Sequence, residues 1–234
     1  MTILVVGGSR GLGKALVEGL LGEGKNVVAV ARSAPSASGL EQSSQLSWIE
    51  ADLSNPRVAA DVIVQSCPEQ LDAIIYNVGI WETNAFEDNY DFLQDTDDEI
   101  VNLVNVNVIA LILLLKRLLP RVLLAPKPQI ILAGSTSALP NCGSPEVTFG
   151  ATKCALNGIA EALREGYRSQ GLAVTCLQLG YLNTGDWADD ENIENTNSLI
   201  PLQDVVAMVC AVLNLSEASY IRTLVMPARM DGRF

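Results

Sequence analysis

The chain of 234 residues sets 15 Lys and Arg against 27 Asp and Glu, has no histidine and carries a formal net charge of −12. Without imidazole there is no Ser-His-Asp or Cys-His nucleophile system and no histidine metal ligand. The negative charge argues against non-specific nucleic-acid binding, which needs Lys and Arg to neutralise phosphates. In chain order, the apolar run Thr2–Val6 reads as a buried strand. It empties into glycines, after which Gly11–Gly22 puts Leu12, Ala15, Leu16 and Leu20 on one helical stripe closed by Gly22 and Gly24. Strands are predicted at Asn26–Ala31, Leu46–Glu50 and Leu71–Tyr76, with a helix at Pro56–Ser66 before the last of them. A long helix, Asp97–Leu119, has Asp97, Asp98 and Glu99 at its start and Lys116 and Arg117 near its end, both favourable to its dipole. Strand Gln129–Ala133, helix Thr148–Gln170, strand Ala173–Leu179, helix Leu202–Leu213 and strand Arg222–Met226 complete the pattern. This alternation, with no Gly/Ser- or Pro-rich linker, predicts one α/β domain over residues 1–234 with a doubly wound parallel sheet.

The first strand leads into Gly7-Gly8-Ser9-Arg10-Gly11-Leu12-Gly13. Glycines there permit turns closed to other residues and let a pyrophosphate approach a helix N-terminus. The spacing is Gly-xxx-Gly-x-Gly, and with it the chain resembles the short-chain dehydrogenase/reductase family, whose fold is Rossmann-like with helices on both faces of the sheet. The second strand ends Val30-Ala31-Arg32-Ser33 with no acid to take a ribose 2′-hydroxyl, and Arg10 lies inside the glycine turn. Two guanidiniums favour a 2′-phosphate, hence NADP(H) over NAD(H). The resemblance implies cofactor contacts at Gly7, Ser9, Arg10, Gly11, Leu12, Gly13 and Arg32. It adds Asp52 and Leu53 after the third strand, and Asn77, Val78 and Gly79 after the fourth, where Val replaces the family's Ala.

The resemblance continues in order over nearly the whole chain. Asn107 in the long helix matches the family's catalytic Asn, with Asn105 and Asn102 as competitors. An Asn in an apolar helix is costly without a partner, which favours a role for it. The fifth strand ends Gly134-Ser135-Thr136-Ser137, where the family places a Ser on the substrate carbonyl; Ser135 is favoured, with Thr136 and Ser137 as alternatives. Then comes Phe149-Gly150-Ala151-Thr152-Lys153, where the family has Tyr-x-x-x-Lys. That spacing puts both side chains on one helix face, and the ammonium favours phenolate so that the tyrosine can pass a proton. Lys153 is also expected at the nicotinamide ribose. Phe149 occupies the tyrosine position without a hydroxyl, so the chain is expected to be impaired or inactive. Either the residue is a deliberate near-isosteric replacement or it marks natural divergence; retention of Asn107, Ser135 and Lys153 favours the former. Tyr76 and Tyr181 flank the site as other possible donors. After the sixth strand, Gly180, Leu182 and Thr184 match the family's nicotinamide loop, with Leu179 in place of Pro.

The acids are unevenly spread: eight fall in residues 81–99 and five in 186–197, with no Lys or Arg in either, leaving the rest at +1. Both read as solvated loops, or more sharply as a negative rim at the substrate mouth that repels anionic substrates. The five separated cysteines read as reduced thiols of a cytoplasmic protein. No signal peptide is read at Met1, and the greasiest stretch, 108–115, is too short to cross a bilayer. The expected activity is hydride transfer between NADP(H) and a small carbonyl compound or the matching alcohol, in a homodimer or homotetramer with no membrane or nucleic-acid partner. The competing readings are a non-catalytic NADP-binding sensor and a family member doing isomerisation or dehydration.

Overall fold

The computed structural model describes residues 1–34, 43–184 and 198–231. Seven strands form one sheet: β1 (Thr2–Val6), β2 (Asn26–Ala31), β3 (Leu46–Glu50), β4 (Ala73–Tyr76), β5 (Gln129–Ala133), β6 (Ala173–Leu179) and β7 (Thr223–Met226). They lie in the order β3-β2-β1-β4-β5-β6-β7, every pairing parallel. The helices are α1 (Gly11–Gly22), α2 (Pro56–Ser66), α3 (Asp97–Val104), α4 (Ala110–Val122), α5 (Val147–Gly166) and α6 (Leu202–Leu213). Alternate residues of a strand face opposite sides, and both sides of the inner strands β1, β2, β4 and β5 are covered, so these read as apolar runs, while the edge strands β3 and β7 keep exposed residues. Leu4, Val6, Ile74 and Tyr76 pack beneath α2, α4 and α5 with Leu111, Leu114, Leu115 and Leu156. Ile3, Val5, Ala29 and Ile75 pack beneath α1 and α6 with Leu16, Leu20, Val205 and Val209. The strand order reverses between β1 and β4, which opens a crevice at their carboxyl ends.

Four elements differ in bounds from the sequence pattern, the least of them β7, which starts at Thr223 instead of Arg222. The predicted helix Asp97–Leu119 is α3 and α4 joined by a π turn at Asn105–Ile109, and it runs on to Val122. The extra residue of a π turn lets Val106 and Asn107 both face inward. Strand β4 starts at Ala73, two residues later than the pattern, and the Leu71 N–H before it goes to Arg121 O at 3.3 Å instead of to a neighbouring strand. Helix α5 ends at Gly166, since Tyr167 leaves helical geometry at φ −123° and only a 3₁₀ turn, Arg168–Gln170, follows.

The helical run Asp97–Val122 is also long and apolar enough to span a bilayer by length and composition, which the 108–115 stretch alone was not. Its inner stripe, Leu103, Ala110, Leu111, Leu114 and Leu118, is buried in the sheet core.

Candidate active site

The crevice is a cavity of about 520 Å³ over the carboxyl ends of the strands. One end is the β1–α1 turn. Helix α1 starts behind Arg10 with no side-chain cap, so its first N–H groups are left for a ligand. Gly7 stands at φ +87°, and a Cβ on Gly13 would lie 1.7 Å from the Gly7 carbonyl oxygen. Only glycine fits position 13, and the resulting backbone cradle suits a pyrophosphate. Gly7, Ser9, Arg10, Gly11 and Leu12 line the cavity, while Gly13 sits buried behind them, holding the turn closed.

Arg32, Asp52 and Leu53 line the same end from β2 and the β3–α2 loop. Asp52 accepts from the Ser54 N–H at 3.0 Å and the Ser54 hydroxyl at 2.8 Å. These bonds hold its carboxyl below the usual range, and Arg32 adds to the effect. Among the described residues Arg10 and Arg32 make no ion pair, so both guanidiniums remain available. Asn77, Val78, Gly79, Gly180, Leu182 and Thr184 also line the cavity, with Thr184 beside Gly11.

At the other end the cavity is lined by Ser135, Phe149 and Lys153. Lys153 is buried and its ammonium donates to Ala133 O at 3.1 Å. It lies 5.5 Å from the centroid of the Phe149 ring, one helical turn back on α5. A Cβ on Gly79 would stand 2.8 Å from its Nζ, so the glycine makes room for the amine. Burial without a carboxylate partner lowers the Lys153 pKa to about 8. Ser135 N–H donates to Gln178 Oε1 at 3.1 Å, and its Oγ caps the following turn by accepting from Ser137 N–H at 3.1 Å. Thr136 and Ser137 also face the cavity.

Asn107 does not line the cavity. It accepts from Ile80 N–H at 2.9 Å and donates to Ile80 O at 2.8 Å and to Thr152 Oγ1 at 3.0 Å, which fixes the loop after β4 against α5. Its buried amide is therefore satisfied. Of its competitors, Asn102 does line the cavity and Asn105 opens the π turn. Tyr76 is fully buried, its hydroxyl donating to Val106 O at 2.7 Å, and desolvation raises its pKa further; it is a core residue. Tyr181 lines the cavity.

The 81–99 stretch departs most from its sequence reading. Glu82 is fully buried, and its Oε1 accepts from Thr148 N–H at 3.0 Å and Phe149 N–H at 2.9 Å. A carboxylate there caps the first turn of α5 and opposes its dipole. Glu146, also buried, accepts from Phe86 N–H at 2.9 Å. None of the acids of 81–99 lines the cavity; Trp81 and Phe86 do. The negative rim is thus not formed by this loop, and residues 186–197 lie outside the described residues. Sequence reasoning missed Glu82, Glu146 and Gln178. Nothing in their local pattern marks them, because their partners lie 66, 60 and 43 residues away.

Comparison with known proteins agrees with this arrangement. The family model for short chain dehydrogenase matches residues 1–194. The chain belongs to the short-chain dehydrogenase family. Hydroxysteroid dehydrogenase-like protein 1 of Gallus gallus is 27% identical over 184 residues, covering 74% of this chain, and the chain spans about half (53%) of that protein. Its Homo sapiens namesake, called inactive, is 25% identical over 223 residues, 87% of this chain and 62% of the relative. The NADPH-dependent pterin aldehyde reductase of Arabidopsis thaliana is 29% identical over 202 residues, 78% of this chain and 75% of that protein. Among solved structures, the closed form of a serine dehydrogenase complexed with NADP+ matches with a TM-score of 0.82 at 22% identity, over 97% of this chain and 94% of that one.

Proposed function

We propose that this dehydrogenase-family protein binds NADP(H), and that its parent activity is reduction of a small carbonyl compound or oxidation of the matching alcohol. The supporting observation is one cavity that joins an uncapped glycine cradle to Ser135, Phe149 and Lys153. Gly7 to Leu12 suit the pyrophosphate; Arg10 and Arg32 a 2′-phosphate; Asp52 and Leu53 the adenine; Lys153 the nicotinamide ribose. When bound, NADPH supplies the hydride. Ser135 orients the carbonyl oxygen and Asn107 shapes the wall by holding Ile80. In this reading Phe149 stands at the family's tyrosine position and brings no proton, so turnover is impaired. NADPH-dependent reduction of a ketone panel by this chain and by Phe149→Tyr, side by side, is the test.

The same impairment supports a second reading, a non-catalytic NADP-binding protein. Tight NADPH binding with no turnover in either chain would favour it.

Cofactor choice follows from the arginines. Arg10→Ser and Arg32→Ala are each expected to weaken NADPH binding about tenfold and leave NADH binding nearly unchanged, since each removes a charge-assisted hydrogen bond to phosphate. Calorimetric titration reads both; NADH binding tighter than NADPH would overturn the assignment.

A homodimer or homotetramer is part of the proposal. Only 39% of the most apolar window of Asp97–Val122 is buried within one chain. Val101 and Ile112 on that run are 58% and 45% exposed, which a second copy would cover. Light scattering is expected at two or four times 25.0 kDa, and a single 25.0 kDa species would refute it. A cytoplasmic location is proposed on the five cysteines, all free thiols.

A further inference from the structure

Beyond the catalytic side chains, the Ser135–Lys153 end of the cavity is walled by four aromatic rings from three separate segments. Trp81 and Phe86 come from the loop after β4, Phe149 from α5 and Tyr181 from the chain after β6. Phe86 is the hub, edge to face with Trp81 (centroids 5.8 Å, 66°), Phe149 (5.7 Å, 86°) and Tyr181 (5.9 Å, 84°). Trp81 and Phe149 meet at 6.5 Å and 84°. Trp81 is 47% and Tyr181 37% exposed, so each ring keeps open surface beside the cavity.

The wall is held in place. Phe86 has φ +69°, a left-handed conformation that a bulky side chain adopts only when its surroundings impose it. Here the Glu146 carboxylate fixes its N–H at 2.9 Å. Glu82 ties the start of the same loop to the first turn of α5, and Asn107 clamps Ile80 next to Trp81 on both its N–H and its carbonyl. The buried acids of this loop thus brace the rings instead of facing the ligand. Among the described residues, the charged side chains lining the cavity are Arg10, Arg32 and Asp52 at the glycine-turn end, and Lys153.

A preformed wall of edge-to-face rings gains most from one more flat ring at a centroid distance of about 4.5–7 Å. Glu82 and Glu146 are turned to the N–H groups of Phe149 and Phe86 and do not line the cavity, and among the described residues no carboxylate or guanidinium lines it beside the four rings, which favours a neutral molecule. We infer that the substrate of this site is a neutral carbonyl compound carrying a planar aromatic ring, an aryl ketone or aryl aldehyde, seated against Trp81 and Tyr181. The inference rests on the reading of this end of the cavity as the substrate end.

Acetophenone and 2-octanone, neutral methyl ketones of equal carbon number, serve as probes. Each is titrated by calorimetry into the free chain and into the chain saturated with NADPH. Acetophenone is expected to bind about tenfold tighter, as contact with two or more rings gives. Trp81→Leu keeps an apolar wall but removes a ring, so acetophenone affinity falls about tenfold while 2-octanone and NADPH affinities hold. Tyr181→Leu, at an exposed position outside any helix, carries the same expectation should Trp81→Leu fold poorly. Equal affinity for the two ketones, no binding of either, or a variant that weakens both alike overturns the inference. Selectivity for acetophenone without NADPH binding leaves the ring site standing and removes the cofactor reading. NADPH binding without ring selectivity does the reverse.

Discussion

Replacing Phe149 by tyrosine is expected to raise NADPH-dependent ketone reduction by about 10²–10⁴-fold, the range that positioned proton transfer contributes. The Phe149 ring lines the cavity and Lys153 Nζ lies 5.5 Å from its centroid, so a hydroxyl on that ring enters the field of a buried ammonium. An opposite charge in a desolvated site favours phenolate and brings the tyrosine pKa toward neutrality. In that variant the phenol would be the group placed to pass a proton to the substrate oxygen. The gain should fall on kcat, with NADPH affinity unchanged, because the hydroxyl acts on the transition state. Stopped-assay rates for both chains at matched cofactor saturation decide it. Equal rates would mean another donor, with Tyr181 the candidate at the cavity wall, and no rate in either would remove the reductase reading.

The second large effect concerns Lys153 in the cofactor-free chain. Its folded pKa of about 8 lies below the ordinary 10.5 because burial penalises the ammonium. Between those values the unfolded chain holds a proton that the folded chain has released, so this group's contribution to stability rises with pH across that window. Below pH 8 the folded state carries the full cost of a buried charge, about 3 kcal/mol from the size of the shift. Lys153→Met fills similar space without charge, so it is expected to be more stable than the parent below pH 8. The difference should close as pH rises towards 10.5. Comparing the two chains isolates this group from the buried Cys67 thiol, pushed up to about 11, which loses stability over an overlapping range. Urea unfolding of both at pH 7, 8, 9 and 10 measures it, and a difference constant with pH would refute the account.

The backbone scaffold was legible because its signals are local. Thr2–Val6 and Gln129–Ala133 are runs that only a strand covered on both faces can bury, and they are strands at those bounds. The cradle was legible for the same reason: the glycines that let Gly13 approach the Gly7 carbonyl are six residues apart, and a turn's chemistry is written within the turn. The i, i+4 spacing of Phe149 and Lys153 likewise fixed their common helix face. The π turn at Asn105–Ile109 was not legible, since its hydrogen bonds reach only one residue further than those of an α-helix and the Ile80 partner of its Asn107 lies 27 residues away.

Tertiary structure alone decided what the acids and the aromatics do. A carboxylate in sequence is a charge, and in isolation water is its best partner. Glu82 is buried because folding brings it two N–H donors at the start of α5, and Glu146 because Phe86 offers another. The sequence reading placed Glu82 in a solvated acidic loop and gave Glu146 no role. Trp81, Phe86, Phe149 and Tyr181 are spread over a hundred residues and become one wall only when parallel strands align their carboxyl ends. The sequence by itself determined the strands, the helices and the glycine turn, each set by neighbours along the chain. The partners of a buried charge and the shape of the substrate wall are set by neighbours in space, and only the folded sheet supplies those.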